Sequence, residues 1–424
     1  MIRRLALAVV ISLAWSNAAA AERRQILDPC QQRPSIELVT MGVGSLIWER
    51  HGHIALCVCA DEPREDRCYN YGIGDFHHPI GMALGFFRGL NSFWAGRMDV
   101  REMLGVYLYA DRTIWVQPLP LTAEQRQQMI AKLESDILDE NKYYAYDHFW
   151  DNCTTRVRDI IDNVTDHALS TMKVETDDRT YRDLAREGFF GMRIPLLITD
   201  LAMGRVTDRL PTYWERMFLP DYLREAVATK WGVQPIAIYQ RRGSPSLKEL
   251  EKELANKDLS PERRAAAQQQ LDDLRNSPSG RVLFALVVIL LTAPAWATRL
   301  WGRFPRTGLT VSVVPYLLLG TILWVLALIS PLPYVRWNET CLVLLPLDVL
   351  LLVLAPARKR TYARGRVIML AVYTLLMIVG VFTQPIWPAV LWALIPNAVV
   401  GFWPANRQGQ AASGAGTVGT PSRT

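Results

Sequence analysis

The long apolar region in the C-terminal half of the chain constrains the fold most strongly. Residues 281–404 are almost continuously apolar, whereas residues 22–245 have a mixed composition. A helix needs about 20 apolar residues to cross a bilayer, so this region is long enough for several spans. Breaks in its pattern predict five helices, near 281–299, 310–330, 340–356, 367–384 and 386–404. We therefore expect a globular domain followed by an all-α membrane domain.

The charges of the loops predict how these helices cross the membrane. The segments 299–306 and 358–366 are basic, whereas the loop 331–340 carries only Arg336 beside Glu339. Basic loops stay on the cytoplasmic side. Five spans that begin outside would place both basic segments inside and the loop 331–340 outside.

The N-terminal residues are typical of a secretory signal peptide. A basic start is followed by an apolar run from Leu5 to Trp15 and by small residues up to Ala21. This pattern predicts a signal peptide over 1–21 and an exported domain over 22–245. A helical stalk is expected over 246–280 and a disordered cytoplasmic tail over 405–424. Together these features predict a multi-pass protein of the bacterial inner membrane with a periplasmic domain.

Four of the 6 cysteines cluster near the start of the exported domain, which favours disulfides. They are Cys30, Cys57, Cys59 and Cys68. A turn near residues 60–67 would place Cys59 opposite Cys68, so we predict the pairs Cys59–Cys68 and Cys30–Cys57 among the three possible pairings. The alternative is zinc, but one residue between Cys57 and Cys59 is not the usual ligand spacing. We expect no metal and no cofactor.

Cys153 stands apart from this cluster, in the hexapeptide DNCTTR at 151–156. It precedes a predicted helix, where free backbone N–H groups and the helix dipole stabilise a thiolate. Asp151 or Asn152 would cap that helix. An unpaired cysteine at this position in an exported domain favours a nucleophile. The alternative is a buried cysteine that packs the helix against a sheet.

A thiol nucleophile needs a base, and the base needs a polar group that orients it. A predicted strand begins with His51 and His53, which point to the same face. His53 begins the apolar run and is therefore the predicted base. Asn70 and Asp75, on or just after the next predicted strand, are both candidates for the orienting group.

These motifs resemble the Lnb N-terminal periplasmic domain family. The resemblance rests on GHIAL at 52–56, YNYG at 69–72 with Asp75, and DNCTTR at 151–156. More distantly, the same motifs resemble the circularly permuted papain-like group, which includes NlpC-type enzymes and eukaryotic lecithin-retinol and phospholipid N-acyltransferases. Residues 338–348 are similar to the membrane part of Lnb proteins. The implied fold is an α+β permuted papain-like (NlpC-type) periplasmic domain followed by an all-α transmembrane domain of about five helices.

The resemblance also implies a function, that of a lipoprotein N-acyltransferase. Such an enzyme would move an acyl chain from a membrane phospholipid to the N-terminal amine of a lipidated lipoprotein. Cys153 would form a thioester and His53 would act as the base. Four further residues are expected to contact substrate: Asn152, His51, Asn338 and Glu339.

Two other functions remain open at this point. A membrane-tethered cell-wall peptidase or amidase of the NlpC type would use the same cysteine and histidine in a polar groove. A non-catalytic envelope protein would tolerate replacement of Cys153. An acyltransferase predicts an apolar slot that opens to the bilayer, and lipid substrates account for membrane spans that a cell-wall hydrolase does not need.

Overall fold

The computed structural model describes residues 28–403, except 31, 76, 91, 246, 277–279 and 303. The predicted signal peptide and C-terminal tail lie outside the described residues. The described chain divides into two compact units, one formed by 28–188 and 210–271 and the other by 189–209 and 272–403.

The first unit is built on a seven-stranded antiparallel sheet with the strand order β6-β4-β3-β2-β1-β5-β7. The strands are β1 (Ser35–Met41), β2 (His53–Cys59), β3 (Arg67–Gly74), β4 (Phe93–Asp99), β5 (Ile114–Pro118), β6 (Tyr143–Tyr144) and β7 (Ile236–Tyr239). The first three strands are neighbours in both sequence and space.

Seventeen α-helices complete the part of the chain that is described. In chain order they are α1 (Pro79–Phe87), α2 (Val100–Tyr109), α3 (Ala123–Asp136), α4 (Cys153–Val164), α5 (Tyr181–Glu187), α6 (Arg193–Ala202), α7 (Tyr213–Arg216), α8 (Pro220–Trp231), α9 (Leu247–Ala255), α10 (Pro261–Asn276), α11 (Gly280–Trp301), α12 (Pro305–Ile329), α13 (Pro333–Arg336), α14 (Thr340–Val343), α15 (Leu350–Val353), α16 (Pro356–Ile378) and α17 (Trp387–Phe402).

Apolar side chains cover both faces of the sheet, because neighbouring residues of a strand point to opposite faces. Ile54 and Leu56 of β2 pack in one cluster with Val157 of α4. Ala55, between them, packs in the other cluster with Met103 of α2. Helices α4 and α2 therefore lie against opposite faces of the same strands.

Two disulfides tie the first strands together, and the predicted pairing is wrong. The bonds join Cys57 to Cys68 and Cys30 to Cys59. In the β2–β3 register Cys57 lies directly opposite Cys68, and the last pair is Val58 with Arg67. Cys59 therefore lies beyond the paired region. The prediction placed Cys59 opposite Cys68, two residues away from the observed register of β2 and β3.

The predicted stalk, 246–280, contains helices α9 and α10. Helix α9 packs on the first unit, since Leu250 is fully buried and Thr113 Oγ1 donates a hydrogen bond of 2.8 Å to Glu249.

The second unit contains three helices that are long and apolar enough to cross a membrane, namely α11, α12 and α16, together with the shorter apolar helix α17. The expected five long helices are thus not found among the described residues. Helix α16 begins at Pro356, earlier than the predicted span 367–384, so the basic segment 358–366 forms its first turns.

The prediction of one helix over 340–356 is wrong. This segment consists of α14, a 3₁₀ turn at Pro346–Val349 and α15, each only four residues long. Pro346 and Pro356 each lack the N–H that a continuous helix needs, and each begins a new element.

Side chains of the neighbouring helices satisfy the carbonyl groups that the broken segment leaves unpaired. Arg366 of α16 donates to the Val343 carbonyl at 2.7 Å and to both oxygens of Asp348 at 2.8 and 2.9 Å. Trp324 of α12 donates to the Cys341 carbonyl at 2.8 Å. Irregular backbone at membrane depth is tolerated where protein groups bind it in this way.

Candidate functional site

Cys153 is the first residue of α4, and its thiol is free and buried. Asn152 is the cap of this helix, because its Oδ1 accepts the backbone N–H groups of Thr154 and Thr155 at 2.8 and 2.9 Å. Its Nδ2 donates to the carbonyls of His148 and Phe218. Asn152 is thereby fixed as the group that positions the cysteine. Its expected contact with substrate stays a prediction.

The surroundings of the thiol keep it protonated. Burial raises the pKa of Cys153, while the hydroxyl of Thr154, the backbone N–H of Ile54 and the charge of Arg112 oppose this rise. The sulfur lies 3.7 Å from Thr154 Oγ1. Because a neutral thiol is a poor nucleophile, Cys153 needs a base.

His53, the first residue of β2, is held by Asn70 on β3. The distance from His53 Nε2 to Asn70 Oδ1 is 3.2 Å. Since an amide oxygen only accepts, Nε2 carries the proton and Nδ1 keeps its lone pair. Burial, followed by the charge of Arg112, lowers the pKa of His53 to about 4. The imidazole is therefore neutral at neutral pH, which is the state a base needs.

Cys153 and His53 lie at the same end of the sheet. The backbone N–H of Ile54, the residue after His53, lies against the cysteine sulfur. The ring of Tyr107 stacks on His53, with ring centroids 6.0 Å apart. Burial raises the pKa of the Tyr107 hydroxyl, and the nearby Cys153 adds to this rise. No hydrogen bond joins His53 to Cys153 within the described residues, and catalytic contacts are often long before substrate binds.

Of the two candidates for the orienting group, Asn70 contacts the histidine. The carboxylate of Asp75 instead bonds Nδ1 of His78 at 2.8 Å on the surface. The ring of His51 lies edge-on to the ring of His148, with ring centroids 5.0 Å apart, and its expected contact with substrate stays a prediction.

Three residues that were not predicted to belong to the site also border it, namely Gly72, Tyr144 and Tyr146. Gly72 has a φ of +77°, which favours glycine, and a Cβ there would lie 3.3 Å from the Tyr146 ring and 3.5 Å from Cys153 Cβ. The same point is 3.7 Å from the hydroxyl of Tyr144. The three tyrosines shortly before DNCTTR were the available signal in the sequence.

Tyr144 is buried, and its hydroxyl has no well-formed hydrogen bond among the described residues. Burial, followed by the nearby Cys153, raises the pKa of the phenol, and the backbone N–H of Gly72 is among the groups that oppose this rise. The guanidinium of Arg156 lies 3.6 Å from the centre of the ring and holds it in place. This hydroxyl can therefore donate a hydrogen bond for which the described residues offer no acceptor.

Asn338 and Glu339 lie in the second unit, where both are buried. Asn338 Nδ2 donates to the Leu201 carbonyl at 2.8 Å, and the carboxylate of Glu339 accepts the N–H groups of Thr383 and Gln384 at 3.3 and 3.0 Å. These contacts join three separate segments of the unit. The expected role in substrate binding stays a prediction.

Comparison with known families supports the resemblance in the first unit. Residues 31–187 match the family model of the Lnb N-terminal periplasmic domain, and they include Cys153, His53 and Asn70. This confirms the resemblance to the Lnb family over a segment that is less than half of the chain. Neither the curated proteins nor the solved structures gave a match.

Proposed function

We propose that this protein is a lipoprotein N-acyltransferase of the bacterial inner membrane. It would transfer an acyl chain from a phospholipid to the N-terminal amine of a lipidated lipoprotein through a thioester on Cys153. The observation that carries the proposal is a free thiol on a capped helix start, at the same end of the sheet as a neutral histidine held by Asn70. The same chain carries three apolar helices, which fits a substrate that resides in the membrane.

In the first half of the reaction, Cys153 attacks the ester carbonyl of the phospholipid. Nδ1 of His53 takes the thiol proton as the S–C bond forms. The ester C–O bond then breaks, and His53 returns the proton to the departing lysophospholipid. The product is an acyl thioester on Cys153.

In the second half, the amine of the lipoprotein attacks the thioester. His53 accepts the proton that the amine loses, the C–S bond breaks, and the proton passes to the Cys153 sulfur. An amide is formed and the free thiol is restored. The histidine cycles between neutral and protonated states in both halves, so a neutral resting imidazole suits both steps.

Both tetrahedral intermediates carry an oxyanion that needs donors. The donors that we assign to this oxyanion are the backbone N–H at the start of α4 and the hydroxyl of Tyr144. Because the Tyr144 hydroxyl has no partner within the described residues, it would bind the oxyanion without first breaking another hydrogen bond.

The order of these elements suits the permuted papain-like (NlpC-type) arrangement that the resemblance implies. The histidine lies on β2, its polar partner on the neighbouring β3, and the cysteine at the start of a later helix. A cell-wall peptidase or amidase would use the same three residues with water as the acceptor. The aromatic side chains of Tyr144 and Tyr146 beside the thiol favour an acyl chain over a polar peptide.

Mass spectrometry of lipoprotein N-termini tests the proposal. Cells that lack the protein should carry free N-terminal amines, and expression of the wild-type chain should convert these to amides. Cys153→Ala should restore the free amines. Cys341→Ala is the matched control, because it removes the other free and buried cysteine. Amide formation by Cys153→Ala, or its absence with the wild-type chain, would contradict the proposed function.

A further inference from the structure

Helix α1 presents an unusual surface for an exported domain. All nine of its residues, PIGMALGFF, are uncharged and most are apolar. Ile80 is 78% exposed and Leu84 is 52% exposed, and Leu90 shortly after the helix is 47% exposed. Contiguous exposed apolar side chains on one short helix mark an interaction surface.

A line of aromatic rings joins this helix to the thiol. The ring of Phe86 on α1 lies 6.2 Å from the ring of Tyr146, which in turn lies 4.6 Å from Phe93. Tyr146 and Cys153 both border Gly72, because a Cβ at this glycine would lie 3.3 Å from the Tyr146 ring and 3.5 Å from the Cys153 Cβ. The exposed helix and the candidate nucleophile are thus connected by apolar contacts within one unit.

The chemistry of the helix indicates which partner covers it. Amphipathic or apolar helices that lie in a membrane interface bury their apolar face at the boundary of headgroups and acyl chains. This chain also carries three helices able to cross a membrane, so a bilayer is within reach of the unit. The exposed Arg88 directly follows α1 and is placed to meet lipid phosphates.

We propose that α1 inserts into the periplasmic surface of the bilayer through Ile80 and Leu84, with Leu90 beside them, and forms the lipid entrance to Cys153. The entrance role rests on the proposed function, whereas the insertion itself does not. A phospholipid whose chains pass along Phe86 and Tyr146 would bring its ester to the thiol.

Spin labelling tests the insertion. A nitroxide is attached to Ile80→Cys in the full-length chain with Cys153→Ala and Cys341→Ala, reconstituted in phosphatidylethanolamine and phosphatidylglycerol vesicles. The label should be more accessible to oxygen, which concentrates in lipid, than to a water-soluble nickel chelate. Labels at Leu138→Cys and Val174→Cys, also exposed positions of this unit, should show the opposite order. If the label at residue 80 is as accessible to the nickel chelate as the control labels are, the proposal is wrong.

Kinetics test the entrance role. The double variant Ile80→Asn with Leu84→Asn should form the Cys153 thioester at least about tenfold more slowly from vesicle phospholipid. Its reaction with a water-soluble butyrate ester should be unchanged, as should both reactions of the control Leu138→Asn. An equal loss on both substrates, or no loss on either, would overturn the entrance role. A wild-type chain that forms no thioester contradicts the proposed function instead and leaves the spin-label result standing.

Discussion

The hydrogen bond from His53 to Asn70 determines which nitrogen of the imidazole can act as the base. Asn70→Ala should lower kcat by about a hundredfold or more, because Nε2–H would lose its acceptor and the free lone pair on Nδ1 would no longer be fixed. Asn70→Asp keeps an acceptor and should recover part of the activity. Asp75→Asn should stay within about twofold of wild type, since the Asp75 carboxylate bonds only the His77 N–H and the His78 ring among the residues described.

The measurement is the rate of thioester formation on Cys153 for all three variants. A loss in Asp75→Asn together with a normal rate in Asn70→Ala would mean that the acid and not the amide orients the base.

Tyr144 offers a second test at the residue scale. Tyr144→Phe removes a hydroxyl that has no well-formed partner in the described structure, so the thermal unfolding midpoint should not fall. Thioester formation should slow by about 10²–10³-fold, the usual effect of removing one oxyanion donor. Tyr143→Phe, the exposed neighbour, is the control and should leave the rate unchanged. A normal rate in Tyr144→Phe would exclude the hydroxyl from the reaction.

At this scale the sequence predicted the identities of Cys153 and His53 from motif and spacing. The sequence did not decide whether Asn70 or Asp75 orients His53, because that choice depends on where β3 ends relative to β2. The disulfide pairing failed for the same kind of reason. A register of two residues decides whether Cys57 or Cys59 faces Cys68, and composition carries no information on that register.

At the scale of elements, the proposed chemistry depends on the start of α4. Asn152→Ala should cost about 1 kcal/mol of folding free energy for the lost cap, and more because the carbonyls of His148 and Phe218 lose their donor. Thioester formation should also slow, because Cys153 is the next residue.

Thr122→Ala provides the matched control, since Thr122 caps α3 through Gln125 and lies on a different helix of the same unit. Both variants should unfold at a lower temperature in detergent, and only Asn152→Ala should lose activity per folded molecule. If both variants keep normal activity, the cap does not position the nucleophile.

The segment between α12 and α16 was predicted as one helix from its apolar pattern, but it consists of short pieces. Hydropathy alone does not distinguish a continuous helix from short helical pieces. The prolines 346 and 356 were the available signal. The contacts by which Arg366 and Trp324 satisfy the carbonyls of Val343 and Cys341 exist only in the folded unit.

At the scale of the whole molecule, composition predicted the division into a mixed and an apolar part. It could not predict that residues 189–209 belong with the apolar part. Asp200 there forms an ion pair with Arg281 at 2.8 Å, so the assignment depends on a contact between segments about eighty residues apart in sequence.

Loop charges give a test of membrane topology. We expect the basic residues at 358–366 to face the cytoplasm and the region around Trp337 to face the periplasm. Trp337→Cys should then react with a membrane-impermeant maleimide in spheroplasts, and Arg360→Cys should react only after permeabilisation. Both positions are exposed. Equal labelling of the two would mean that the broken segment returns to the side from which it entered.

Detection of an acyl-enzyme is the decisive test of the proposed thioester mechanism. The purified full-length protein is incubated with dipalmitoyl phosphatidylethanolamine without any acceptor, digested, and analysed by peptide mass spectrometry. We expect one palmitoyl group on the peptide that contains Cys153. Neutral hydroxylamine should release it, as expected for a thioester, and His53→Gln should carry much less of it. Lipoprotein N-acylation that proceeds while Cys153 remains unmodified, or palmitate on a different residue, would contradict it.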